Sequence, residues 1–151
     1  MNDILVRRLG HGDLTVARET FAMMVDVFEE DVVGRERLSD DYLDRLLRQS
    51  SFWALAAFVG SEIVGGLTAH TLPMTRSASS ELLIYDLAVR RENQRQGLGH
   101  RLIRELCDRA VAVGIRDVFV PADNEDSYAL DFYRAQGAVE SLVTHFTFTT
   151  P

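Results

Sequence analysis

The sequence is poor in cysteine, in histidine and in basic residues, and each shortage excludes a class of protein. The single cysteine, Cys107, cannot form an internal disulfide, and the four histidines are scattered, so we expect no metal site. Its 16 basic residues face 23 acidic ones, and the net charge of −7 argues against nucleic acid as the main partner. No apolar run is long enough to span a bilayer, and the first residues lack the pattern of a signal peptide. We therefore expect a cytoplasmic protein with no membrane, nucleic-acid or metal partner.

The length and the apolar content fit a single domain, residues 1–151. With 46% hydrophobic residues, the chain can build one proper core. Short apolar segments bounded by turn residues predict strands over residues 4–9, 52–59, 63–72, 82–89 and 117–121, and alternating apolar residues predict a closing strand over residues 139–148. Apolar residues at helical spacing predict helices over residues 14–28, 39–49, 97–113 and 127–136. We expect Gly65 and Gly66 to mark a bulge or a close backbone contact, Asp13 to cap the first helix, and Gly114 to end the third.

The most informative segment runs from Leu82 to Gly99, where an apolar strand leads through a basic loop into a helix that opens with Gly-Leu-Gly. Such a loop points free backbone N–H groups and the positive end of the helix dipole at one place, which suits a phosphate or pyrophosphate. A nucleotide P-loop is a poor fit, because His100 and Arg101 stand where lysine and a hydroxyl residue are needed. A dinucleotide-binding fingerprint is also poor, because Leu102 replaces its third glycine. Three arginines add positive charge around the loop: Arg90, Arg91 and Arg95.

Two spaced patterns in the chain resemble those of one enzyme family. Gln94, Gly97 and Gly99 fit Gln/Arg-x-x-Gly-x-Gly/Ala, the pattern of the acyl-CoA pyrophosphate loop of GNAT N-acetyltransferases. A downstream segment resembles the family's segment after strand five, and its matching residues are Asn124, Ala129, Tyr133 and Gly137. Much of the chain also resembles the type I aminoglycoside 3-N-acetyltransferases, through residues 41–43, 52–58, 84–89, 122–123 and 145–146.

The resemblance implies the GNAT fold, an α/β architecture with a mixed, mostly antiparallel central sheet, splayed strands four and five, and about four flanking helices. It also implies acetyl-CoA as the cofactor and coenzyme A as the product. Backbone N–H groups of the loop would hold the pyrophosphate, and strand four would pair with the pantetheine arm. The implied cofactor-binding residues are Leu87, Ala88, Val89, Arg95, Gln96, Gly97, Leu98, Gly99, His100, Asn124 and Tyr133. Asn124 could instead cap a helix, and Pro121 fits either the gap between strands four and five or the end of strand five.

Two residues are predicted to carry the chemistry. Tyr133 matches the family tyrosine near the cofactor sulfur, where it could protonate the departing thiolate; alternatively, it is a core tyrosine with a satisfied hydroxyl. Asp86 is a carboxylate inside an apolar strand, which is costly unless the carboxylate is solvated or paired. It is the leading candidate for binding or deprotonating the acceptor amine, although it could simply face solvent. Glu81 is a weaker candidate for the same role.

Further residues are predicted to contact a cationic acceptor. Asp123 and Asp126 could accept charge-assisted hydrogen bonds from a polycationic sugar, or could belong to an acid-rich helix start. Glu30 lies in a segment that usually forms a wall of the acceptor groove in this family. Alternatively, it belongs to a solvated charged face. His145 matches the subfamily's His-Phe pair and could be an acceptor contact or a structural hydrogen-bonding group.

The resemblance predicts direct acetyl transfer to the 3-amino group of the 2-deoxystreptamine ring of an aminoglycoside, and hence antibiotic resistance. Its regiochemistry comes from the resemblance and not from any spacing. The alternative is a GNAT enzyme acting on a polyamine, a small metabolite or a protein amine. A less favoured alternative is an acyl-CoA-binding module without turnover. Because the family often forms homodimers, the terminal strand could contribute to a dimer interface.

Overall fold

The computed structural model describes residues 3–28 and 37–151, and the chain forms two compact units, Met1–Pro121 and Ala122–Pro151. The described strands of the first unit are β1 (Ile4–Arg8), β2 (Phe52–Val59), β3 (Glu62–Pro73), β4 (Ser80–Val89) and β5 (Val118–Phe119). Its described α-helices are α1 (Leu14–Val27), α2 (Asp40–Arg48) and α3 (Leu98–Ala112), and the second unit contributes α4 (Ser127–Ala135).

The strands of the sheet follow chain order, β1-β2-β3-β4-β5. The first four pair antiparallel and β5 lies parallel to β4, so the prediction of a mixed, mostly antiparallel sheet is confirmed. Because helices cover both sides of the sheet, β2 and most of β3 are buried and apolar on both faces. The face covered by α1 and α2, here the α1 face, buries Met24, Leu47, Phe52 and Ala88, among others. The opposite α3 face buries Leu67, Ile84, Leu102 and Leu106, among others.

The paired glycines of β3 let a helix approach each face of the sheet closely. A Cβ atom on Gly66 would lie 2.6 Å from the Met24 sulfur and 2.8 Å from Cγ2 of Thr20, both on α1. A Cβ atom on Gly65 would lie 3.2 Å from Cδ1 of Leu102 on α3. The pairing of β2 with β3 also shifts register just before these glycines. The prediction of a bulge or a close contact is therefore confirmed.

The ends of two helices follow the expected local chemistry. The Ser39 hydroxyl caps α2 by accepting the backbone N–H of Tyr42 at 3.1 Å. Gly114, with φ of +83°, ends α3, and its N–H donates to the Val111 carbonyl at 3.0 Å. The N–H of Ile115 donates to the Ala110 carbonyl at 2.9 Å, which completes a Schellman motif and confirms Gly114 as the cap.

The prediction that Asp13 caps α1 through its side chain is wrong. Asp13 does stand at the N-cap position, but its carboxylate makes no cap hydrogen bond. It accepts instead from the backbone N–H of Gly10 and from the guanidinium of Arg7, each at 2.8 Å. A short 3-10 turn, His11–Asp13, precedes α1 and turns the carboxylate back toward the end of β1.

Two strand predictions near the end of the chain are corrected. Strand five covers only Val118–Phe119, so Pro121 lies beyond the end of the strand rather than within it. The closing strand predicted over residues 139–148 is wrong, because residues 138–151 form neither a strand nor a helix. Alternation of apolar residues is not sufficient for a strand, which also needs a hydrogen-bonding partner. The large apolar side chains of this segment are 78–95% exposed: Val139, Leu142, Val143, Phe146 and Phe148.

The described helices are all too short or too polar to cross a membrane.

Candidate functional site

The loop between β4 and α3 is tied back to the end of β4. After Val89 the chain makes a 3-10 turn, Arg91–Asn93, and the side-chain amide of Gln94 then donates to the Val89 carbonyl at 2.9 Å. Arg95 and Gly97 adopt left-handed backbone conformations, with φ of +62° and +81°. Turns in which left-handed residues alternate with right-handed ones form concavities that are lined by backbone N–H groups and bind anions. The glutamine of the sequence motif thus anchors the loop, and the glycine allows its shape.

The same loop leads into α3, whose N-terminus has no side-chain cap. Gly97 occupies the N-cap position, makes no side-chain cap hydrogen bond, and has no atom within 4 Å of where its Cβ would stand. The first N–H groups of an α-helix have no intrahelical acceptor. Leu98 is 1% exposed and fixes the helix start in the core, while Arg95, Gln96 and His100 are exposed. The predicted pyrophosphate-binding residues therefore lie together at one open helix terminus.

Arg90 serves a different part of the fold from the one its sequence position suggests. Its guanidinium Nε donates to the Ile63 carbonyl at 2.8 Å and lies 4.0 Å from the Glu62 carboxylate. It lines a pocket of about 390 Å³ beside α1, together with Glu19 and Asp26. The positive charge of Arg90 is thus engaged at the turn between β2 and β3.

A bulge in β4 decides where Asp86 points. Thr68 of β3 pairs with Asp86, whereas the next residue of β3 pairs with Ile84, so Tyr85 is the extra residue. Ile84 and Leu87 both pack on the α3 face, although residues three apart on a regular strand point to opposite faces. Tyr85 and Asp86, which lie between them, therefore both point to the α1 face. Two polar side chains are thus adjacent on one side of the sheet.

A row of aromatic rings crosses the α1 face and ends at this bulge. The ring of Phe21 on α1 lies 6.3 Å from Phe52 on β2, measured between centroids. Phe52 lies 5.3 Å from His70 on β3, and His70 meets Tyr85 edge to face at 5.8 Å. Sequence reasoning missed His70 and Tyr85. The signal was the adjacent polar pair Tyr85 and Asp86 inside an apolar run, which breaks strand alternation as a bulge does.

Strands β4 and β5 separate after a short contact, as the resemblance implied. They pair at only two positions, Leu82 with Val118 and Leu83 with Phe119. The backbone of β4 from Ile84 onward therefore has no partner on β5. The predicted pantetheine-pairing residues Leu87, Ala88 and Val89 lie in this stretch, between the bulge at Asp86 and the loop before α3.

The second unit places three predicted site residues, Asp123, Asn124 and Asp126, in the turn before α4 and a fourth, Tyr133, near the end of that helix. The carboxylate of Asp126 caps α4 by accepting the N–H of Ala129 at 3.0 Å. The carboxylate of Asp123 accepts the N–H of Glu125 at 2.9 Å and closes a turn, with the exposed Asn124 between them. Both acids therefore have the local structural role that was the alternative to acceptor binding. Tyr133 follows on α4, half-buried, with its ring edge-on to Phe132 at 5.2 Å.

Three further candidates are Glu30, His145 and Glu81. Glu30 lies outside the described residues. His145 is exposed in the terminal segment that has no regular structure, and Glu81 lies near the start of β4, five residues before Asp86.

No metal-binding group of three or more histidine, cysteine or acidic residues occurs in residues 3–28 and 37–151. Burial first, and the neighbouring Asp108 second, raise the pKa of the Cys107 thiol on α3. A thiol with a raised pKa carries little thiolate at neutral pH, which disfavours Cys107 as a covalent nucleophile.

The sequence matches the acetyltransferase (GNAT) family model over residues 20–138, which includes the β4 bulge, the uncapped loop and α4. The chain belongs to the GNAT acetyltransferase family. It is therefore an N-acetyltransferase, and the predicted fold is confirmed by its structural likeness to known members. A comparison with curated protein sequences finds no match.

Solved structures similar to this GNAT chain include two aminoglycoside acetyltransferases from uncultured soil metagenomic samples. One, meta-AAC0020, was crystallised with sisomicin; it is 35% identical, with a TM-score of 0.94 over 98% of this chain and 97% of its own. The second, HMB0005, is 32% identical, with a TM-score of 0.93 over 99% of both chains. A more distant structure, AAC(6')-Iy with a bisubstrate analogue, shares the fold at 13% identity and a TM-score of 0.80.

Proposed function

We propose that this chain is an acetyl-CoA-dependent aminoglycoside 3-N-acetyltransferase that works as a single catalytic domain in the cytoplasm. The observation that carries the proposal is the β4 bulge. It turns the Asp86 carboxylate to the α1 face at the point where β4 has parted from β5. Asp86 lies three residues, about 10 Å, before the end of the strand and the anion-binding loop. An amine held by Asp86 and a phosphate held by the loop would therefore lie at opposite ends of one open strand edge.

The residues around the loop fit coenzyme A. Backbone N–H groups from Arg95 to His100, at an uncapped 15-residue helix, suit its pyrophosphate. The β4 backbone from Leu87 to Val89 suits the amides of its pantetheine arm, which would add like a strand. We also assign Asn124 to the pantetheine arm. The bound cofactor supplies a thioester, whose carbonyl carbon accepts the amine.

The assignment of the loop can be tested with a pair of glycines, one at each end of α3. Gly97 and Gly114 have nearly equal φ angles, +81° and +83°, and open space where a Cβ would stand. Alanine at either position should therefore cost about 1–2 kcal/mol of stability from backbone strain. Only Gly97→Ala should also raise KM for acetyl-CoA, by about 10-fold, because relaxation of the loop misdirects N–H groups. Equal KM values for the two variants, measured by thiol release, would contradict the assignment of the loop.

The candidate residues fit direct transfer, in which no covalent enzyme intermediate forms. Asp86 takes a proton from the acceptor ammonium, directly or through water, so that the neutral nitrogen can attack. Attack by the nitrogen would replace the C–S bond of the thioester with a C–N bond, and a backbone N–H of β4 near Leu87 would stabilise the negative charge on the carbonyl oxygen. Tyr133 gives its proton to the departing thiolate as general acid. The nitrogen would lose its second proton to solvent, and solvent would restore the proton of Tyr133. Positioning of the two reactants supplies much of the acceleration.

The acceptor class follows from charge and from the relatives. We assign Asp123, Asp126, Glu30 and His145 to the acceptor side, where carboxylates suit a polycation. The two acids that hold the turn before α4 each keep a second carboxylate oxygen for a ligand. The sisomicin complex of meta-AAC0020, at 35% identity, supports an aminoglycoside as substrate. The 3-amino position rests on the sequence resemblance to type I enzymes. Acetylation there removes a cationic contact to ribosomal RNA and so confers resistance.

The test is acetyl-CoA-dependent thiol release with a panel of acceptors: gentamicin, sisomicin, kanamycin, apramycin, spermidine and a lysine peptide. We expect rapid turnover with gentamicin and sisomicin. Turnover with spermidine or the peptide alone would contradict the proposed acceptor class, whereas the proposed acetyl-transfer chemistry would still hold. Tight acetyl-CoA binding without turnover of any acceptor would favour a non-catalytic module.

A further inference from the structure

Tyr85 is the most exposed large apolar side chain on the described strands, at 67%. Its neighbours in sequence are half-buried or buried, so the exposure comes from the bulge and not from a fraying strand end. Holding an aromatic ring in water leaves most of its apolar area without compensation, unless a ligand covers the ring. The mechanism assigned to Asp86 and Tyr133 does not use this side chain.

The ring of Tyr85 is also held in place. His70 contacts it edge to face at 5.8 Å, and Phe52 and Phe21 continue the row back to α1. Phe52 is buried, so the row is anchored in the core of the α1 face. An aromatic side chain loses little conformational freedom on binding, and a ring that is already supported loses less.

The chemistry of this pair selects a particular ligand shape. The face of a tyrosine ring attracts C–H groups and ammonium groups, and Asp86 beside it accepts from an ammonium. An aminocyclitol or amino sugar ring offers both, with C–H groups on its face and ammonium groups on its rim. A linear polyamine has ammonium and methylene groups but no ring face to lie against the tyrosine.

We propose that Tyr85 determines the acceptor specificity of this enzyme, its ring face binding the face of the amino sugar or aminocyclitol ring whose amine reaches Asp86. This inference rests on the proposed function and names a residue that the function does not require. His70 is a positioning residue that supports the ring. The proposal explains why the bulge presents two side chains rather than one to the α1 face.

The experiment titrates sisomicin into the protein saturated with coenzyme A, by calorimetry, for the wild type, Tyr85→Phe, Tyr85→Leu and Tyr85→Ala. Tyr85→Phe should bind within about 3-fold of the wild type, because it keeps the ring. Tyr85→Leu and Tyr85→Ala should each bind about 10-fold more weakly, since they remove the π face. KM for acetyl-CoA should be unchanged in all three variants, and a thermal melt checks that each is folded.

The outcomes separate this inference from the proposed function. Sisomicin binding by Tyr85→Leu and Tyr85→Ala at wild-type affinity would overturn the role of Tyr85 and leave the proposed function standing. A wild type that binds no sisomicin would overturn the proposed function, and the specificity role with it. Equal loss in Tyr85→Phe and Tyr85→Ala would overturn the ring-face contact in favour of a hydroxyl hydrogen bond.

Discussion

Replacing Asp86 by asparagine is expected to lower kcat for sisomicin by about 10²–10⁴-fold, the range that a positioned general base contributes. The bulge holds this carboxylate on the α1 face, and asparagine keeps its shape while removing its basicity. Raising the pH should reduce the defect, because more of the acceptor amine is then neutral without help from a base. The measurement is a pH profile of kcat and kcat/KM for the variant and the wild type.

The matched control is Glu81→Gln, a second carboxylate on the same strand, five residues before Asp86. It should leave kcat within about 3-fold, because Glu81 lies roughly 15 Å along the strand from Asp86. A rise in KM for sisomicin with unchanged kcat in Asp86→Asn would show that Asp86 binds the ammonium without deprotonating it. A large defect in Glu81→Gln with little effect at Asp86 would reverse the assignment.

Replacing Tyr133 by phenylalanine is expected to lower kcat by about 10²-fold or more, with KM for acetyl-CoA nearly unchanged. The substitution keeps the half-buried ring beside Phe132 and removes the hydroxyl group together with its acidic proton. The defect should shrink above about pH 8.5, where a free thiolate is stable without a proton. Steady-state kinetics across pH 6.5–9.5 would measure both effects.

Tyr128→Phe is the control for this experiment, because it makes the same change on the same helix at an exposed side chain. It should have wild-type kinetics. Indifference of kcat to Tyr133→Phe would remove the general acid from the mechanism and would assign Tyr133 a packing role on α4.

The loop and the strand that precedes it could be predicted from sequence because their signals are local. Gly97 marks a left-handed residue that other side chains disfavour, and Gln94 stands where its amide reaches the Val89 carbonyl. Likewise, Gly65 and Gly66 indicated a close contact without naming the partner. The residues that contact these glycines are Met24 on α1 and Leu102 on α3. These contacts depend on tertiary packing, which a local sequence pattern does not encode.

Other features depend on contacts that sequence spacing does not encode. Asp13 has two competing partners, and the turn before α1 favours Gly10 and Arg7 over the helix cap. Asp86 was found by its charge inside an apolar strand, whereas Tyr85 was missed because one aromatic residue in a strand is ordinary. Only the register shift against β3 shows that both point to one face. The segment of residues 139–148 alternates like a strand and forms none.

The decisive measurement is the position of the acetyl group on sisomicin after turnover by the wild type, mapped by two-dimensional NMR. We expect a single product, acetylated at the 3-amino group of the 2-deoxystreptamine ring. Acetylation at the 6'-amino group, or a mixture of positions, would contradict the proposed regiochemistry, and an unmodified drug would contradict the proposed function itself.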